Sequence, residues 1–158
     1  MITYAEKNVY VQTPYFVPDD SIIESLKMAA QSGVEVRIMI PCKPDHMFVY
    51  WATYAYVGEL LRSGARVFIY DNGFLHAKTL VVDGEVSTVG STNFDNRSFR
   101  LNFETNAFIF DEAFAKEMEE TYEADMLKGH ELTLDQYNKR SIVVRFKESI
   151  SRLLADIL

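Results

Sequence analysis

The chain contains 158 residues, 48% of them apolar and 25% charged, which is typical of one globular domain large enough to bury its own core. Its one cysteine, Cys42, excludes an intrachain disulfide, and its formal net charge of -7 argues against a general nucleic-acid-binding protein. No segment approaches the roughly 20 consecutive apolar residues of a membrane-spanning helix, and the first residues lack the basic and apolar regions of a signal peptide. We therefore expect this chain itself to be soluble or peripheral to a membrane.

The first half of the sequence alternates between strand and helix patterns. Asn8–Thr13 alternates polar and apolar residues and predicts a strand. Ser21 and Glu24 have the spacing of a capping box, which predicts a helix that ends near Gly33. The next elements are predicted as a strand over 34–40, a helix over 46–62 and a strand over 65–70. Such strand–helix–strand units favour parallel strand pairs with helices on the faces of the sheet.

The second half of the sequence begins with a hairpin. A strand over 74–82 runs into Asp83-Gly84, a dipeptide common in tight turns, and Val86–Val89 is its antiparallel partner. The remaining elements are predicted as a short helix capped by Asp95, a strand over 103–110, a helix over 112–127 and an amphipathic segment over 138–158 with its helix at 141–158. We thus predict a single α/β domain over residues 1–158, with a mixed, mostly parallel sheet flanked by helices on both faces.

Polar side chains gather around this hairpin. His76 and Lys78 are two residues apart on the predicted strand, so both side chains point to the same face. Ser91 and Asn93, also two apart, follow the partner strand, and hairpin pairing can bring them beside the first two residues. Asp83 lies at the turn, an odd number of residues from His76. We expect Asp83 to point away from the reactive face and to stabilise the turn or pair with a basic group.

This combination of groups suits chemistry at a phosphodiester. A neutral His76 can attack phosphorus, and a protonated His76 can instead donate its proton to the leaving oxygen. The Lys78 ammonium and the Asn93 amide can stabilise the non-bridging oxygens, so the reaction is expected to need no metal or other cofactor. Glu104, on a neighbouring predicted strand, is expected to bind the other imidazole nitrogen and fix its tautomer.

The spacing of these residues resembles the HKD signature of the phospholipase D superfamily, in the form His76-x-Lys78-x4-Asp83-x6-Gly90-Ser91-x-Asn93. The surrounding sequence resembles bacterial cardiolipin synthases of the phospholipase D type. The segments that carry this likeness are Gln12–Pro18, Pro41–His46, Phe74–Lys78 and Asn96–Glu104. The likeness runs almost from end to end of the chain, and it corresponds to the C-terminal catalytic half of a longer enzyme with two such motifs.

The resemblance implies a phosphatidyl transfer in two steps. A histidine of the family attacks one phosphatidylglycerol, releases glycerol and forms a phosphatidyl-histidine, and a second phosphatidylglycerol then accepts the phosphatidyl group to give cardiolipin. The family uses two HKD motifs related by a pseudo-two-fold axis. In two-motif relatives the N-terminal histidine usually attacks, so His76 is expected to act as acid and base.

The resemblance also implies partners and a location. The expected partners are phosphatidylglycerol or another anionic phospholipid, a membrane surface, and either the N-terminal HKD half or a second copy of this chain in a two-fold dimer. Nucleic acid is not expected as a partner. The family reaches the bacterial cell membrane through transmembrane helices that precede its catalytic halves.

Three further residues carry weaker signals, each with two interpretations. His46 precedes an aromatic helix and either contacts a lipid headgroup or caps the helix. Tyr15 follows a strand, where it either binds a ligand or packs in its own loop. Arg97 either contacts substrate or forms an ion pair with Asp83 or Glu104.

The C-terminal part of the chain also leaves alternatives open. His130, in a Lys-Gly-His sequence, is expected to be a solvated loop residue. The final helix is expected either to lie on an anionic membrane surface or to pack on its own domain or on the missing half. Its apolar face is predicted to comprise Ile142, Val143, Phe146, Ile150, Leu153, Leu154 and Ile157.

Three other functions are compatible with the sequence. One is a phosphodiesterase that acts on nucleic acid, which the acidic net charge disfavours. The second is a phospholipase D that hydrolyses phospholipid, with water as the acceptor. The third is a non-catalytic half-domain that binds lipid or a partner, because one HKD motif cannot supply two histidines.

Overall fold

The alternation of strands and helices in the sequence is retained in the fold. A computed structural model describes residues 1–43 and 45–155, and a 3-10 turn at Ile2–Tyr4 precedes the first strand. The strands in chain order are β1 (Asn8–Gln12), β2 (Phe16–Val17), β3 (Glu35–Pro41), β4 (Arg66–Tyr70), β5 (Thr79–Val82), β6 (Val86–Gly90), β7 (Phe94–Asp95), β8 (Asn106–Ile109) and β9 (Gly129–Leu132). The helices in chain order are α1 (Asp20–Gln31), α2 (Met47–Arg62), α3 (Asn96–Arg100), α4 (Glu112–Met126), α5 (Leu134–Asn138) and α6 (Ile142–Leu153).

Within the described residues, seven strands form one sheet in the order β8-β6-β5-β1-β3-β4-β9. The three neighbouring strands β1, β3 and β4 are parallel, because α1 and α2 connect them as crossovers. The hairpin β5–β6 and the edge strands β8 and β9 pair antiparallel, and β2 and β7 form a separate short parallel pair. The predicted mixed α/β class is confirmed. The parallel part of the sheet is limited to its centre, since the hairpin and both edge strands reverse the chain direction.

Alternation along the central strands buries both faces of the sheet. Val9 and Val11 of β1 belong to a core that includes Leu60 of α2. Tyr10, between them, points to the opposite face, where its ring stacks on that of Tyr122 in α4 at a centroid distance of 5.0 Å. Each fully buried side chain of this size contributes about 1.5–3 kcal/mol through the hydrophobic effect. Helices therefore cover both faces of the sheet, as predicted.

The helix α1 begins two residues earlier than its predicted capping box requires. Asp19 is the N-cap residue, and its carboxylate accepts a 3.0 Å hydrogen bond from the Ile22 amide. Ser21 consequently lies in the first turn, and its hydroxyl donates to the Asp19 carboxylate at 2.7 Å. The predicted box of Ser21 and Glu24 is therefore wrong, because the aspartate that precedes the helix is placed to accept from its first turn.

Two predicted strands are shorter in the structure. The strand β5 begins at Thr79, opposite Gln12 of β1, because β1 ends there and Pro14 soon follows. His76 and Lys78 therefore lie in the loop that precedes β5 instead of on a strand. The predicted strand over 103–110 is reduced to β8, which leaves Glu104 in the loop before it.

Two elements near the C-terminal end were not predicted from the sequence. The helix α5 begins with a capping box in which Thr133 and Gln136 exchange hydrogen bonds, a signal that is present in the sequence. The strand β9 pairs with β4 and carries His130, so the prediction of a loop at this residue is wrong. The His130 Nδ1 lies 2.6 Å from the Asp71 carboxylate, which gives this exposed ring a specific partner.

The last predicted helix is present as α6, with Ser141 as its N-cap residue. The Ser141 hydroxyl accepts a 3.3 Å hydrogen bond from the Val144 amide. The predicted helix extended to residue 158, and its last part, including Ile157, lies outside the described residues. Over the ranges that the structure describes, no helix has both the length and the apolar character needed to cross a bilayer.

Candidate active site

The loop between β4 and β5 presents His76 and Lys78. Leu75 and Ala77 pack into the core beneath α4, and this alternation directs the side chains of His76 and Lys78 to the other side of the loop. The His76 imidazole is exposed, and its ring centroid lies 5.7 Å from that of Phe74. The Lys78 Nζ donates a 3.0 Å hydrogen bond to the backbone carbonyl oxygen of His76. The shared face predicted for these two residues is thus retained, although the loop is not part of the sheet.

The end of the hairpin brings Ser91 next to this loop. The Gly90 amide donates a 3.3 Å hydrogen bond to the carbonyl oxygen of Lys78, which places Ser91 one residue beyond the contact. Gly90 allows β8 to approach closely, because a Cβ at this position would lie 1.9 Å from the Asn106 Oδ1. The Ser91 hydroxyl donates to Glu104 and accepts a 3.0 Å hydrogen bond from the Thr105 amide.

Glu104 is the acceptor at the centre of a group of polar side chains. Its carboxylate accepts from Ser91, from the Asn102 amide at 3.2 Å and from the Ser98 hydroxyl at 3.3 Å. The hydrogen bond from Ser91, together with the weaker ones, holds the pKa of Glu104 below its usual range. Asn93 joins the group through a 3.4 Å hydrogen bond from its Nδ2 to the Ser98 hydroxyl.

This arrangement differs from the role expected of Glu104. In the described part of the chain, no hydrogen bond links Glu104 to His76; the carboxylate is occupied by hydroxyl and amide donors. Its charge instead acts on Lys78. Burial lowers the pKa of Lys78, and the negative charges of Glu104 and Asp95 offset part of that effect by raising it.

Asp83 lies at the far end of the hairpin, in the left-handed region of backbone conformation with φ of 58°. Its carboxylate accepts hydrogen bonds from the backbone amides of Glu6, Lys7 and Asn8, at 2.7 to 2.9 Å. Partial burial alone would raise the pKa of Asp83, but these three hydrogen bonds outweigh burial and hold the pKa below its usual range. Asp83 therefore joins the turn to the start of β1 and does not meet the other motif residues.

A separate cleft beside the motif brings together the three residues with weaker signals. Tyr15, His46 and Arg97 line it with Asn93 and Asn102. The cleft has a volume of about 370 Å³. It therefore connects Tyr15 and His46, from two distant parts of the sequence, to Asn93 of the motif and the nearby Arg97.

Each of these three residues has a defined environment. The Tyr15 hydroxyl donates to Asp45, and burial together with this acidic partner raises the pKa of Tyr15. His46 occupies the N-cap position of α2, but its side chain forms no capping hydrogen bond. Among the described residues Arg97 has no ion-pair partner, so the alternative of an ion pair with Asp83 or Glu104 is not found.

Some site residues were missed by sequence reasoning. Ser98 and Asn102 contact Glu104 although no role was predicted for them, and both lie in the polar segment before it. Behind the loop, Gln12 accepts from the Thr79 hydroxyl at 3.1 Å and donates to Asp125 at 2.9 Å. The sequence signal for Gln12 is an uncharged polar residue that directly follows Val9, Tyr10 and Val11 in β1.

The site combines an exposed imidazole, a neighbouring ammonium and a set of polar donors. Lys78 supplies positive charge beside His76, and Asn93 lies on the wall of the adjoining cleft. Such groups can bind a phosphate ester and can move a proton or form a bond at His76. The arrangement therefore favours chemistry at a phosphate group that enters from the exposed side.

Comparisons with known proteins give the same indication. A family model described as cardiolipin synthase, PLD-like domain, matches residues 1–126. The chain is 58% identical over 158 residues to a cardiolipin synthase of Listeria welshimeri and 54% identical over 158 residues to the major cardiolipin synthase of Bacillus subtilis. In both cases the whole chain is matched, and it spans 33% of the relative's length.

The fold also resembles that of a solved structure. Nuc, a phospholipase D family member from Salmonella typhimurium, superimposes with a TM-score of 0.73 and 22% sequence identity. The match covers 84% of this chain and 86% of Nuc. At this identity the likeness supports the fold, and the sequence relatives carry the evidence for the family.

Proposed function

Because the chain belongs to the cardiolipin synthase family of phospholipase D-like proteins, we propose that it supplies one catalytic half-site for phosphatidyl transfer. The donor and the acceptor are both phosphatidylglycerol, and the products are cardiolipin and glycerol. The observation that carries the proposal is the exposed His76 imidazole beside the Lys78 ammonium, within the family's motif.

The reaction is proposed to proceed through a phosphohistidine. A histidine nitrogen forms a bond to phosphorus while the bond to the glycerol oxygen breaks, and that oxygen takes a proton from the acid. The hydroxyl of a second phosphatidylglycerol then loses its proton to the same group and attacks phosphorus, which breaks the phosphorus–nitrogen bond. We assign His76 to the acid and base steps and the attacking histidine to the second HKD half.

Lys78 and Asn93 are proposed to stabilise the negative charge on the non-bridging oxygens. The ammonium is oriented by the carbonyl oxygen of His76, and the Asn93 amide is oriented by Ser98. Removal of one preorganised donor of this kind typically lowers kcat about 10²–10³-fold. Ser91 and Glu104 contribute by fixing the loop that carries Asn93, and Asp83 contributes by fixing the hairpin turn.

The surface near Glu104 supports the need for a second half. The exposed side chains of Phe103, Phe108 and Phe110 lie in and around β8, which is an edge strand of the sheet. An edge of this kind, with exposed aromatic side chains, is typical of a surface that pairs with another chain or domain. Because β8 begins beside Glu104, a partner at this edge could bring a second histidine close to His76.

The cleft is proposed to bind the glycerol headgroup of phosphatidylglycerol. Arg97 can contact the phosphate because it forms no ion pair in the described part of the chain, although Asp95 also lines the cleft. His46 and Tyr15 line the same cleft, together with aromatic and apolar side chains at the start of α2 that include the exposed Phe48.

The experiment is an assay with phosphatidylglycerol vesicles, with the chain alone and with the N-terminal part of a full-length relative. The expected products are cardiolipin and glycerol, with a rate that falls about 10²–10⁴-fold in His76→Asn. The matched control is His130→Asn, which changes a histidine paired with Asp71 away from the motif and should retain the rate.

Other products would support the alternatives. Phosphatidic acid in place of cardiolipin would indicate that water is the acceptor and that the protein is a hydrolase. Cleavage of added DNA would indicate a phosphodiesterase of nucleic acid. No product from any substrate, with the second half present and bound, would indicate a non-catalytic half-domain.

A further inference from the structure

The helix α6 has its apolar face toward solvent. Ile142, Phe146 and Leu153 lie along this face with exposed fractions of 81%, 66% and 84%. The opposite side of the helix is the buried one, and it carries Glu148 and Ser151. Amphipathic helices of globular proteins normally bury the apolar side, so α6 has the reverse orientation.

Polar contacts hold α6 in this orientation. The buried Glu148 carboxylate accepts two hydrogen bonds of 2.7 Å from the Arg140 guanidinium, and Arg152 forms an ion pair with Glu59 of α2. The Lys147 ammonium lies 4.7 Å from the centroid of the Trp51 ring, also on α2. Rotation of the helix to bury its apolar face would break these contacts, so the exposed face is a stable feature of the fold.

Two cations flank the exposed face. Residues 138–152 contain five Lys or Arg and one Glu, and three of the five, Lys139, Arg140 and Arg152, form ion pairs with acidic side chains. At about 100° per residue, Arg145 and Lys147 lie on opposite sides of the apolar face. In the ranges that the structure describes, neither of the two has an acidic partner. This part of the surface therefore complements an anionic, apolar surface.

We propose that α6 lies flat on an anionic phospholipid bilayer, with its apolar side chains among the acyl chains and Arg145 and Lys147 at the headgroups. Basic residues beside a broad apolar face are the features of helices that bind in the plane of the interface. A second copy of the chain is a poorer occupant, because a two-fold contact between two α6 faces would bring the cations of both copies together.

The position of α6 relates this surface to the candidate site. Phe48 lines the cleft, its ring packs edge-on against Trp51 at 5.8 Å, and Lys147 of α6 lies over the same Trp51 ring. A bilayer in contact with α6 would thus lie near the side of α2 that leads to the cleft. This inference rests on the proposed function, because a bilayer-bound α6 serves the reaction only if the substrate is a phospholipid. Its test does not depend on the reaction, because binding to vesicles is measured without turnover.

The test is co-sedimentation of the chain with vesicles of phosphatidylcholine alone or of equal parts phosphatidylcholine and phosphatidylglycerol. We expect binding to the anionic vesicles and at least about tenfold weaker binding for the double variant Phe146→Ser, Leu153→Ser. The double variant Arg145→Glu, Lys147→Glu should lose binding to the anionic vesicles. All four side chains are exposed, and loss of the exposed Lys147 contact with the Trp51 ring should lower the melting temperature only slightly.

The matched control replaces exposed apolar residues elsewhere, as Met28→Ser with Leu127→Ser, and should retain vesicle binding. Equal binding by the unchanged chain and the α6 variants would overturn the inference. So would dimers that depend on Phe146 and Leu153 without any binding to vesicles, which would show that a second copy covers the face. Binding that persists in a catalytically inactive His76→Asn chain would separate this inference from the proposed reaction.

Discussion

The Lys78 ammonium donates a 3.0 Å hydrogen bond to the backbone carbonyl oxygen of His76, so the second residue of the motif fixes the main chain of the first. Burial lowers the pKa of this ammonium, and the negative charge of the Glu104 carboxylate offsets part of that effect. Lys78 thereby connects the loop that carries the imidazole with the polar group around Ser91. The reactive geometry depends on this connection as well as on the charge of the lysine.

Glu104→Gln is expected to lower the pKa of Lys78 further. Burial already lowers this pKa, and the negative charge of Glu104 offsets part of that effect, so its removal leaves burial less opposed. The measurement is an NMR titration of the Lys78 Cε signal. Glu112→Gln, an exposed change on α4, should leave the titration unchanged. An unchanged or higher pKa in Glu104→Gln would contradict the proposed coupling.

Asp83→Asn is expected to destabilise the fold by about 1–2 kcal/mol. The carboxylate accepts from three backbone amides, and an asparagine would turn its own amide toward some of those donors. The expected loss of unfolding free energy is small for three hydrogen bonds, because two of them are exposed and water can partly replace them. Chemical unfolding measures the loss, and Glu85→Gln, which removes an exposed ion pair with Lys7, should cost less than about 0.5 kcal/mol.

The contribution of Asp83 should also depend on pH in one direction. Its pKa in the folded state is below the ordinary value of 3.8, so the carboxylate stabilises the fold fully above that value. As the pH falls below 3.8 and through the folded pKa, the carboxylate is protonated and the contribution is lost. The difference in unfolding free energy between the unchanged chain and Asp83→Asn should therefore shrink in acid. A difference that grows in acid would refute the assignment.

Gly90→Ala is expected to separate β6 from β8 and to disturb the site. The added Cβ would lie 1.9 Å from the Asn106 Oδ1 and 2.3 Å from the carbonyl oxygen of Thr105. Relief of such contacts requires a backbone shift that costs about 1–3 kcal/mol, and it would also move Ser91 away from Glu104. The second change Asn106→Ala should restore part of the stability, since it removes the side chain but leaves the carbonyl. Full stability in Gly90→Ala alone would disprove the close approach.

The parts of the fold that were predictable are those with a local pattern. The alternation at Asn8–Thr13 and the Asp83-Gly84 turn depend on neighbouring residues, and the structure has a strand and a hairpin there. The short strand β9 carries no such pattern, because it pairs with β4 across a long sequence separation. The beginning of β5 was misplaced for a similar reason: its limit is set by the end of a distant strand, β1.

In the site too, one predicted feature followed from the spacing of the residues, whereas another depended on where the side chains lie. The spacing of His76 and Lys78 was enough to predict a shared face, and the loop retains it through the burial of Leu75 and Ala77. The expected contact from Glu104 to His76 was not found, because three nearby donors occupy the carboxylate. The pairing of hydrogen-bond donors with acceptors depends on side-chain positions, and the spacing of a motif does not specify these positions.

Glu148→Ala is expected to destabilise the fold by about 3–5 kcal/mol, because it leaves the Arg140 guanidinium between α5 and α6 without its acidic partner. The side-chain exposures of Arg140 and Glu148 are 15% and 5%, so water cannot fully replace the lost acceptor. The control Asp135→Ala removes an exposed ion pair with Lys139 and should cost less than about 1 kcal/mol. Chemical unfolding gives both values. Equal losses in the two variants would mean that the buried pair does not anchor α6, and the outward orientation of its apolar face would then lack its main support.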